Sequence, residues 1–321
     1  HLIREDRLVP TVKIFLEGEE ECGSTGISTA MPAWKERLRA DVLLVTDLGM
    51  VAPDQPTLTM SLRGIIHATV EISGPRTDLH SGMHGGLAPN PANALCRLLA
   101  TLHKEDGGIA IPAFYEGIRP TTAQELSLAK AMPFDPQQYE RNTGVPPLGG
   151  EHNLSAIERL GLRPCLDCNG MNSGFNGKGV KTIIPSLARA KLTARLPAGL
   201  NPQTCLDALV AHLEAHAPEG LNLNVLDYGV GGSGLRLDPE SPIIARGKRI
   251  ADTLTDHPAI YRWEGASIPV IVDLAAVAEA DTLMVGFGCE SDNIHAPNES
   301  FSLKRFHMGY TFALRFFESY A

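Results

Sequence analysis

An acidic run behind an apolar segment is the feature that most constrains this chain. Residues 12–16 (Val-Lys-Ile-Phe-Leu) are apolar and partly β-branched, which predicts a buried strand. Glu17, Glu19, Glu20 and Glu21 follow directly, before Cys-Gly-Ser. Four carboxylates at a strand end repel one another unless a positive charge holds them, and a bound divalent cation would be the largest local charge. A solvated acidic turn is the alternative, so other parts of the chain must decide.

Two distant residues favour the metal. Asp47 ends the apolar strand 42–45, and His295 lies in a turn between an apolar strand at 283–287 and the final helix. Carboxylate and imidazole groups at strand ends are ligands that suit zinc or manganese. Each residue alone is weak evidence, because Asp often caps a helix and a turn His is usually just solvated.

Further motifs occur in a fixed order after the acidic run. They are Asp-Leu-His-Ser-Gly-Met-His-Gly-Gly at 78–86 and the segments 111–120, 181–185 and 264–269. With these motifs, nearly the whole chain resembles the di-zinc metallopeptidase family that includes carnosinase, other cytosolic dipeptidases, carboxypeptidase G-type enzymes, aminoacylases and succinyl-diaminopimelate desuccinylase. The last three segments favour its carnosinase-like branch.

The resemblance implies roles for five residues in a site with two zinc ions per subunit, or manganese. Glu21 would bind one ion together with His295, and Asp47 would bind the other. Glu20 would be the general base, which needs a pKa raised towards neutrality to take a proton from the attacking water. His80 would reach from a second domain, across a dimer, to stabilise the oxyanion of the attacked carbonyl.

The resemblance also implies a group that holds the substrate. Arg195 matches the position that binds the terminal carboxylate, for which the planar fork of Arg is suited. Thr182, Gly265 and Ser267 match neighbouring positions that help to hold that end. A sheet-edge charge is the alternative for Arg195.

Other polar residues near these motifs receive no catalytic role. We expect Glu17 and Glu19 to be packing or surface residues, and His84 to be structural. Asp78, two residues before His80, is a candidate for orienting the His80 imidazole.

The pattern of elements predicts an α/β fold with one domain inserted into another. Residues 1–60 and 233–321 would form a mixed-sheet α/β catalytic domain, because strand and helix alternate there. Residues 61–232 would form a lid and dimerisation domain, an antiparallel sheet with helices on one face. The glycine-rich run 229–234 opens no βαβ unit, so we expect a hinge there rather than a phosphate loop.

Hydrophobic spacing predicts the individual elements. Helices are expected over 24–39, 91–102, 202–215, 241–254, 268–280 and 302–319. Strands are expected over 42–45, 64–72, 187–197, 221–226 and 282–288. Residues 105–165 are rich in Pro and Gly, which predicts loops and short helices.

One part of the family pattern is absent. In the family, a His-x-Asp motif and a bridging Asp precede the acidic strand, whereas sixteen residues precede Glu17 here, and none of the eleven histidines is followed two residues later by Asp. One ion would keep Glu21 and His295 and the other only Asp47, although a catalytic zinc normally has three protein ligands. We expect this chain to be part of a longer protein; a truncated, inactive form is the alternative.

Composition excludes several classes of protein. The net charge of −9 argues against nucleic acid as a partner. No apolar stretch approaches the roughly 18 residues that span a membrane. The six cysteines show no disulfide framework, and the pair Cys165 and Cys168 is interpreted as structural; free thiols suit a cytoplasmic protein.

The sequence therefore predicts a metal-dependent hydrolase of amide bonds in small substrates, a dipeptidase that forms a homodimer through its lid domain. The substrate would be a dipeptide or an N-acyl amino acid. Two alternatives remain open, a deacylase of N-acyl amino acids or succinyl-diaminopimelate, and a non-catalytic dimerisation module.

Overall fold

Two compact units make up the chain in a computed structural model, which describes residues 1–19 and 24–320. Unit 1 comprises three segments, which are His1–Leu62, Thr121–Asp135 and Arg236–Ala321. Unit 2 comprises Arg63–Pro120 and Pro136–Leu235. The segment Thr121–Asp135 lies within the predicted lid 61–232, and the roles assigned to the predicted domains stay predictions.

Both units contain helices and strands. The α-helices of the described residues are α1 (Thr25–Ala30), α2 (Lys35–Leu38), α3 (Ser81–His84), α4 (Pro91–Ala100), α5 (Ala123–Ala131), α6 (Pro136–Thr143), α7 (Ala156–Gly161), α8 (Pro202–Ala215), α9 (Pro242–Ala251), α10 (Pro269–Ala278) and α11 (Leu303–Glu318). The strands are β1 (Val42–Val45), β2 (Thr57–Leu62), β3 (Gly64–Ser73), β4 (Leu79–His80), β5 (Cys165–Ser173), β6 (Ile183–Ile184), β7 (Leu187–Leu196), β8 (Asn222–Gly232), β9 (Leu235–Arg236), β10 (Ile260–Trp263) and β11 (Asp281–Gly286). Short 3₁₀ helices occur at Met31–Trp34, Pro112–Phe114 and Glu290–Asp292.

Unit 2 is built on an antiparallel sheet of four strands in the order β5-β7-β3-β8. Side chains alternate between its faces, and the buried set on β3 and β7 packs with α4 and α8 in one hydrophobic core. Asn90 and Asn201 cap these two helices, since their side chains accept from Ala92 N at 2.9 Å and Thr204 N at 3.1 Å. The predicted fold class, with an antiparallel sheet covered by helices on one face, is confirmed.

Unit 1 contains a mixed sheet with the strand order β1-β11-β2-β10, and the short strand β9 pairs with β2. Strand β11 runs parallel to β1 and antiparallel to β2, whereas β10 runs parallel to β2. All six residues of β2 are buried, as expected for a central strand. The carboxyl ends of β1 and β11 therefore lie at the same end of the sheet.

The segment Thr121–Asp135 is held within unit 1 by a buried ion pair. Thr122 and Glu125 form a capping box at the start of α5. The Glu125 carboxylate also accepts from Arg236 Nε at 3.0 Å and Nη2 at 2.6 Å. Only 2% of the Glu125 side chain and 6% of the Arg236 side chain is exposed. Burial is the largest single influence on the pKa of Glu125 and acts to raise it. The hydrogen bonds that the carboxylate accepts from Arg236 and Thr122 together outweigh burial, so the pKa is lowered.

The strand predicted for residues 12–16 is wrong. These residues belong to no helix or strand, and the side chains of Ile14 and Leu16 are 81% and 87% exposed. The Phe15 ring contacts Trp34, and the two ring centroids are 6.5 Å apart. An apolar, β-branched segment forms a strand only where a neighbouring backbone provides hydrogen-bond partners for it. Residues 12–16 pair with no strand of the described chain.

The helix predicted for 24–39 is interrupted. A 3₁₀ segment at Met31–Trp34 separates α1 from α2, because Pro32 has no amide hydrogen for the α-helical ladder. The other five predicted helices all form and differ from the expected bounds by three residues or fewer. Short helices also occur in the Pro- and Gly-rich stretch 105–165, as predicted.

Most of the glycine-rich run is strand. Residues 229–232 continue β8 and pair with β3, so the hinge predicted for 229–234 is wrong at these four residues. A Cβ on Gly231 would lie 2.5 Å from Ile65 Cγ2, and one on Gly64 would lie 2.4 Å from the Gly232 oxygen. The glycines are required for the close approach of the two backbones rather than for flexibility.

Nowhere in residues 1–19 and 24–320 does a helix reach the length and apolar character that crossing a bilayer requires.

Candidate active site

The loops that carry Asp47 and His295 meet at one end of the unit 1 sheet. Asp47 lies two residues after β1, and His295 lies nine residues after β11, which is parallel to β1. Gly288 N donates to Leu48 O at 3.2 Å, and Met50 N donates to Gly288 O at 2.7 Å. The structure thus joins the two loops that carry these predicted ligands by backbone hydrogen bonds.

The predicted ligand Glu21 and the predicted base Glu20 lie outside the described residues. Within residues 1–19 and 24–320, no three His, Cys, Asp or Glu side chains are grouped so that they could hold a metal ion. The described donors, one carboxylate on the Asp47 loop and one imidazole on the His295 loop, have the chemistry that a divalent ion prefers. The donor set fits a divalent metal, and the full ligand set stays a prediction.

The backbone of the His295 loop is unusual. Asn293, His295 and Asn298 have φ angles of 58°, 59° and 65°, which lie in the left-handed region. Few non-glycine residues adopt this conformation, and Asn does so more readily than most. Left-handed residues concentrated in one loop are typical of functional sites that the surrounding structure holds in place.

A buried ion pair lies beneath this loop. Asp292 accepts from Arg305 Nη1 at 2.7 Å and from Arg305 Nη2 over a still shorter contact, and each side chain is 6% exposed. The hydrogen bonds from Arg305 hold the pKa of Asp292 below its usual range, so the carboxylate is ionised. Sequence analysis missed this pair because 13 positions separate its members and neither belongs to a motif.

In unit 2, the orientation of His80 is set by the backbone. His80 ends β4, which pairs with β6 so that His80 lies opposite Ile183. Its Nδ1 accepts a hydrogen bond from Gly82 N at 3.0 Å, so in the neutral ring the hydrogen resides on Nε2. The side chain is exposed. An exposed imidazole with a free Nε2–H is able to donate a hydrogen bond to a developing oxyanion.

Two neighbours of His80 were considered in the sequence. Thr182 is close in the fold, because Ser81 N donates to the Thr182 carbonyl at 2.9 Å. Asp78 was expected to orient the His80 imidazole, and this is wrong. Its Oδ1 instead accepts from Ser186 N at 2.9 Å and from Ser186 Oγ at 3.0 Å, which ties the loop to the start of β7.

Arg195 lies on an interior strand, since β7 is flanked by β5 and β3. The alternative of a sheet-edge charge is therefore excluded. Burial, followed by the neighbouring Arg63, lowers the pKa of Arg195. Arg63 is 7% exposed and donates to Arg163 O and Cys165 Sγ, both at 3.4 Å. The charges of Arg63 and Arg195 therefore interact.

Arg63 is a further residue that sequence analysis missed. Its only signal in the sequence is a charged residue directly after the fully buried strand β2, a position where Arg is rarely buried. Cys165 beside it is a free thiol whose pKa is raised by burial, and Cys168 is also free, so neither forms a disulfide. The structural interpretation of this cysteine pair remains the simplest.

Gly265 and Ser267 lie in the loop between β10 and α10 of unit 1. Gly265 N donates to Glu264 Oε1 at 2.8 Å, and Glu264 also pairs with Arg262 at 2.8 Å. Because β10 runs antiparallel to the direction of β11, this loop leaves the sheet at the end opposite the Asp47 and His295 loops. The Arg262 side chain nevertheless extends towards the Asp47 loop, because its Nη1 would lie 3.4 Å from a Cβ on Gly49. The substrate-binding roles stay predictions.

The sheet and helices of unit 2 define a known class of domain. The family model described as the peptidase dimerisation domain of M20 enzymes matches residues 60–221, which is half of the chain. The chain belongs to this family. The resemblance stated from its motifs is thereby confirmed.

Individual relatives are similar over nearly the whole chain. Beta-Ala-His dipeptidase of Mus musculus is 26% identical over 314 residues, which cover 95% of this chain and 63% of the relative. Cys-Gly metallodipeptidase of Schizosaccharomyces pombe is 27% identical over 298 residues, 91% of this chain and 62% of the relative. The chain thus spans less than two thirds of the length of these curated relatives.

A solved structure shows the same fold. The M20 family metallo-carboxypeptidase Sso-CP2 from Sulfolobus solfataricus matches with a TM-score of 0.85 at 24% identity. The match covers 100% of this chain and 72% of that structure. Membership of a family of metallopeptidases implies a divalent metal.

Proposed function

We propose that this protein is a metal-dependent dipeptidase. The observation that carries the proposal is the pair of hydrogen bonds that joins the Asp47 and His295 loops at the carboxyl ends of β1 and β11. Relatives that cover most of the chain are named dipeptidases, which supports the same activity here. The free thiols of the described cysteines are compatible with a cytoplasmic location.

Zinc is the proposed metal, two ions per subunit, with manganese as the other metal compatible with these ligands. Asp47, His295 and Glu21 would hold it. When bound, the metal supplies Lewis-acid chemistry that makes water acidic enough to lose a proton near neutral pH.

The chain's own groups would carry the remaining chemistry. Glu20 would take a proton from the attacking water and pass it to the leaving amine. The Nε2–H of His80 would donate to the oxyanion of the tetrahedral intermediate. Arg195, backed by the positive charge of Arg63, would hold the terminal carboxylate of the dipeptide. Together these groups account for hydrolysis of a short peptide with a free carboxyl end.

A homodimer would complete the site. The dimerisation family matches residues 60–221, which include His80, and the proposal places this imidazole in the partner's active site. A dimer formed through this region would make activity depend on protein concentration below the dimer's dissociation constant.

Metal removal tests the proposed function. We expect the full-length protein to hydrolyse unmodified dipeptides, to lose this activity after chelation, and to regain it with Zn²⁺ or Mn²⁺. The matched substrates are the same dipeptides with an acetylated amino group and N-acyl amino acids. Faster turnover of the acylated compounds would indicate a deacylase, and no turnover of either class with metal present would indicate a non-catalytic module.

Arg195→Lys should mainly weaken substrate binding. Lys keeps the charge and loses the bidentate fork, so we expect KM for dipeptides to rise about tenfold, the cost of one charge-assisted hydrogen bond. The measurement is steady-state kinetics on a dipeptide and on the same dipeptide with an amidated carboxyl end. The amide should bind poorly to wild type and should be insensitive to the substitution.

Arg189→Lys is the matched control for this variant. Arg189 lies on the same open face of β7, six residues away, where it pairs with Glu71. Its side chain is 55% exposed, so its pairing contributes little. A comparable rise in KM for both variants would contradict the role of Arg195.

A further inference from the structure

Several non-glycine residues of the loop that carries His295 have a left-handed backbone conformation. Residues 289–300, here named the ligand loop, connect the region after β11 to α11. Three of its residues, Asn293, His295 and Asn298, are left-handed, and no glycine occurs between positions 289 and 300. Such conformations persist only where surrounding contacts determine them. Ala296 N donates to Asn293 O at 2.9 Å within the loop, and further contacts lie at its base.

Asp292 closes the ligand loop. Its carboxylate accepts from Cys289 N at 2.8 Å, which fixes the start of the loop. Its backbone carbonyl accepts from Ser300 N at 2.9 Å, which fixes the end. The eight positions from 293 to 300, with His295 among them, are therefore anchored at both ends by this one residue.

Arg305 fixes Asp292 to the helix behind it. Arg305 lies in the first turn of α11 and engages both carboxylate oxygens of Asp292. The same Nη1 donates to Phe287 O at 2.7 Å, just beyond the end of β11. The Phe301 ring lies 5.1 Å from the guanidinium carbon. One side chain thus ties β11, the ligand loop and α11 together.

Stability alone is a weak explanation for this pair. Removing two charges from water costs free energy that their attraction does not always recover, and well-packed apolar replacements of such pairs are often neutral or stabilising. A bidentate ion pair fixes the relative orientation of its two side chains, which an apolar contact does not. Because Asp292 accepts hydrogen bonds from Cys289 N and Ser300 N, its fixed orientation also fixes the position of the ligand loop.

We propose that Asp292 and Arg305 are positioning residues that hold the His295 imidazole in the orientation required for binding the metal. The inference rests on the proposed function, because it needs His295 to be a ligand. Neither residue touches metal or substrate; they act through the ligand loop. Outer contacts that orient ligands typically change metal affinity by about 10–100-fold when removed.

The test removes the pair without leaving a buried charge. In the full-length protein, Asp292→Leu combined with Arg305→Met should bind Co²⁺ about 10–100-fold more weakly than wild type. The visible absorption of bound Co²⁺ should also change, because it reports the geometry of the ligands. Affinity is measured by competition with a chromophoric chelator, and the free energy of unfolding of the metal-free protein is measured in urea.

The matched control is another buried ion pair of unit 1. Glu125→Leu combined with Arg236→Met removes a pair of similar burial on α5 and β9, away from the ligand loop in the chain. It should leave the affinity for Co²⁺ and the absorption spectrum unchanged whatever its effect on stability. Equal changes in both double variants would overturn the positioning role, since a general loss of stability would then explain them.

A milder variant covers the case in which the double variant does not fold. Arg305→Lys retains the charge and loses the bidentate contact, so it should weaken Co²⁺ binding and alter the spectrum to a smaller extent. Wild-type binding and spectrum in this variant would overturn the proposal. Suppose that the wild-type protein hydrolyses dipeptides with metal bound, and that both Asp292–Arg305 variants bind Co²⁺ with the wild-type affinity and spectrum. This result would contradict only the positioning role. A wild-type protein that binds no metal contradicts the proposed function as well.

Discussion

His80→Ala is expected to lower kcat for dipeptide hydrolysis by about 10²–10³-fold, the usual cost of removing one oxyanion donor. The reason is the tautomer that the structure imposes. Gly82 N donates to Nδ1 at 3.0 Å, which leaves the hydrogen on the exposed Nε2. KM should change little, because the bond to Nε2–H strengthens only as charge develops on the carbonyl oxygen. Steady-state kinetics at saturating metal provides the measurement.

His84→Ala is the control for this variant. His84 is the last residue of α3, four positions after His80, and its backbone carbonyl accepts from Leu87 N at 3.0 Å and from Ala88 N at 2.9 Å. Alanine preserves these bonds, so kcat should stay near the wild-type value. Mixing the inactive His80→Ala protein with a Glu20→Gln protein should restore activity if His80 acts across the dimer, because a mixed dimer then holds one site with both wild-type residues. No restoration after subunit exchange would place His80 in its own subunit's site.

Glu20→Gln is expected to have an effect of similar or larger size. Gln keeps the shape of Glu and cannot accept the proton from water, and general bases typically contribute about 10²–10⁴-fold. Metal content should stay at the wild-type level, because the proposed ligand is Glu21 and not Glu20. Turnover is measured together with bound metal on the same sample.

Glu19→Gln separates this effect from a general change in the acidic run. Glu19 Oε2 accepts from Gly26 N at 3.2 Å, and the amide oxygen of Gln accepts equally well. This variant should therefore keep near-normal kcat. Near-normal turnover by the Glu20→Gln protein with full metal content would show that the base is another group.

The elements best predicted from sequence are those whose pattern agrees with their neighbours. In strands β3 and β7, buried residues alternate with more exposed ones over all ten positions of each strand, as the mostly alternating apolar and polar sequence predicts. The bounds predicted for α8 from hydrophobic spacing agree with the structure, in which Asn201 caps the helix and Pro202 occupies its first position. Residues 12–16 carry an equally good local pattern and form no strand, since no partner backbone is paired with them.

The candidate site was predictable only where residues belong to a motif. The strand positions before Asp47 and His295 follow from apolar runs, and their meeting follows from the parallel pairing of β1 and β11. The partner of Asp78 did not follow, because Ser186 is 108 positions away. Arg305 and Asp292 were missed for the same reason, since nothing local distinguishes a charged residue that becomes buried from one that stays in water.

The contact between β3 and β8 affects how this chain tolerates change over evolutionary time. Gly64 and Gly231 face another strand so closely that any side chain would collide with Ile65 or with the Gly232 carbonyl. Purifying selection should therefore retain these glycines whether or not the ligand preference of the protein changes. Conservation of these glycines among related sequences would then reflect the geometry of the sheet. Changes in substrate preference would instead be expected to involve substitutions at Arg195 and the residues around it.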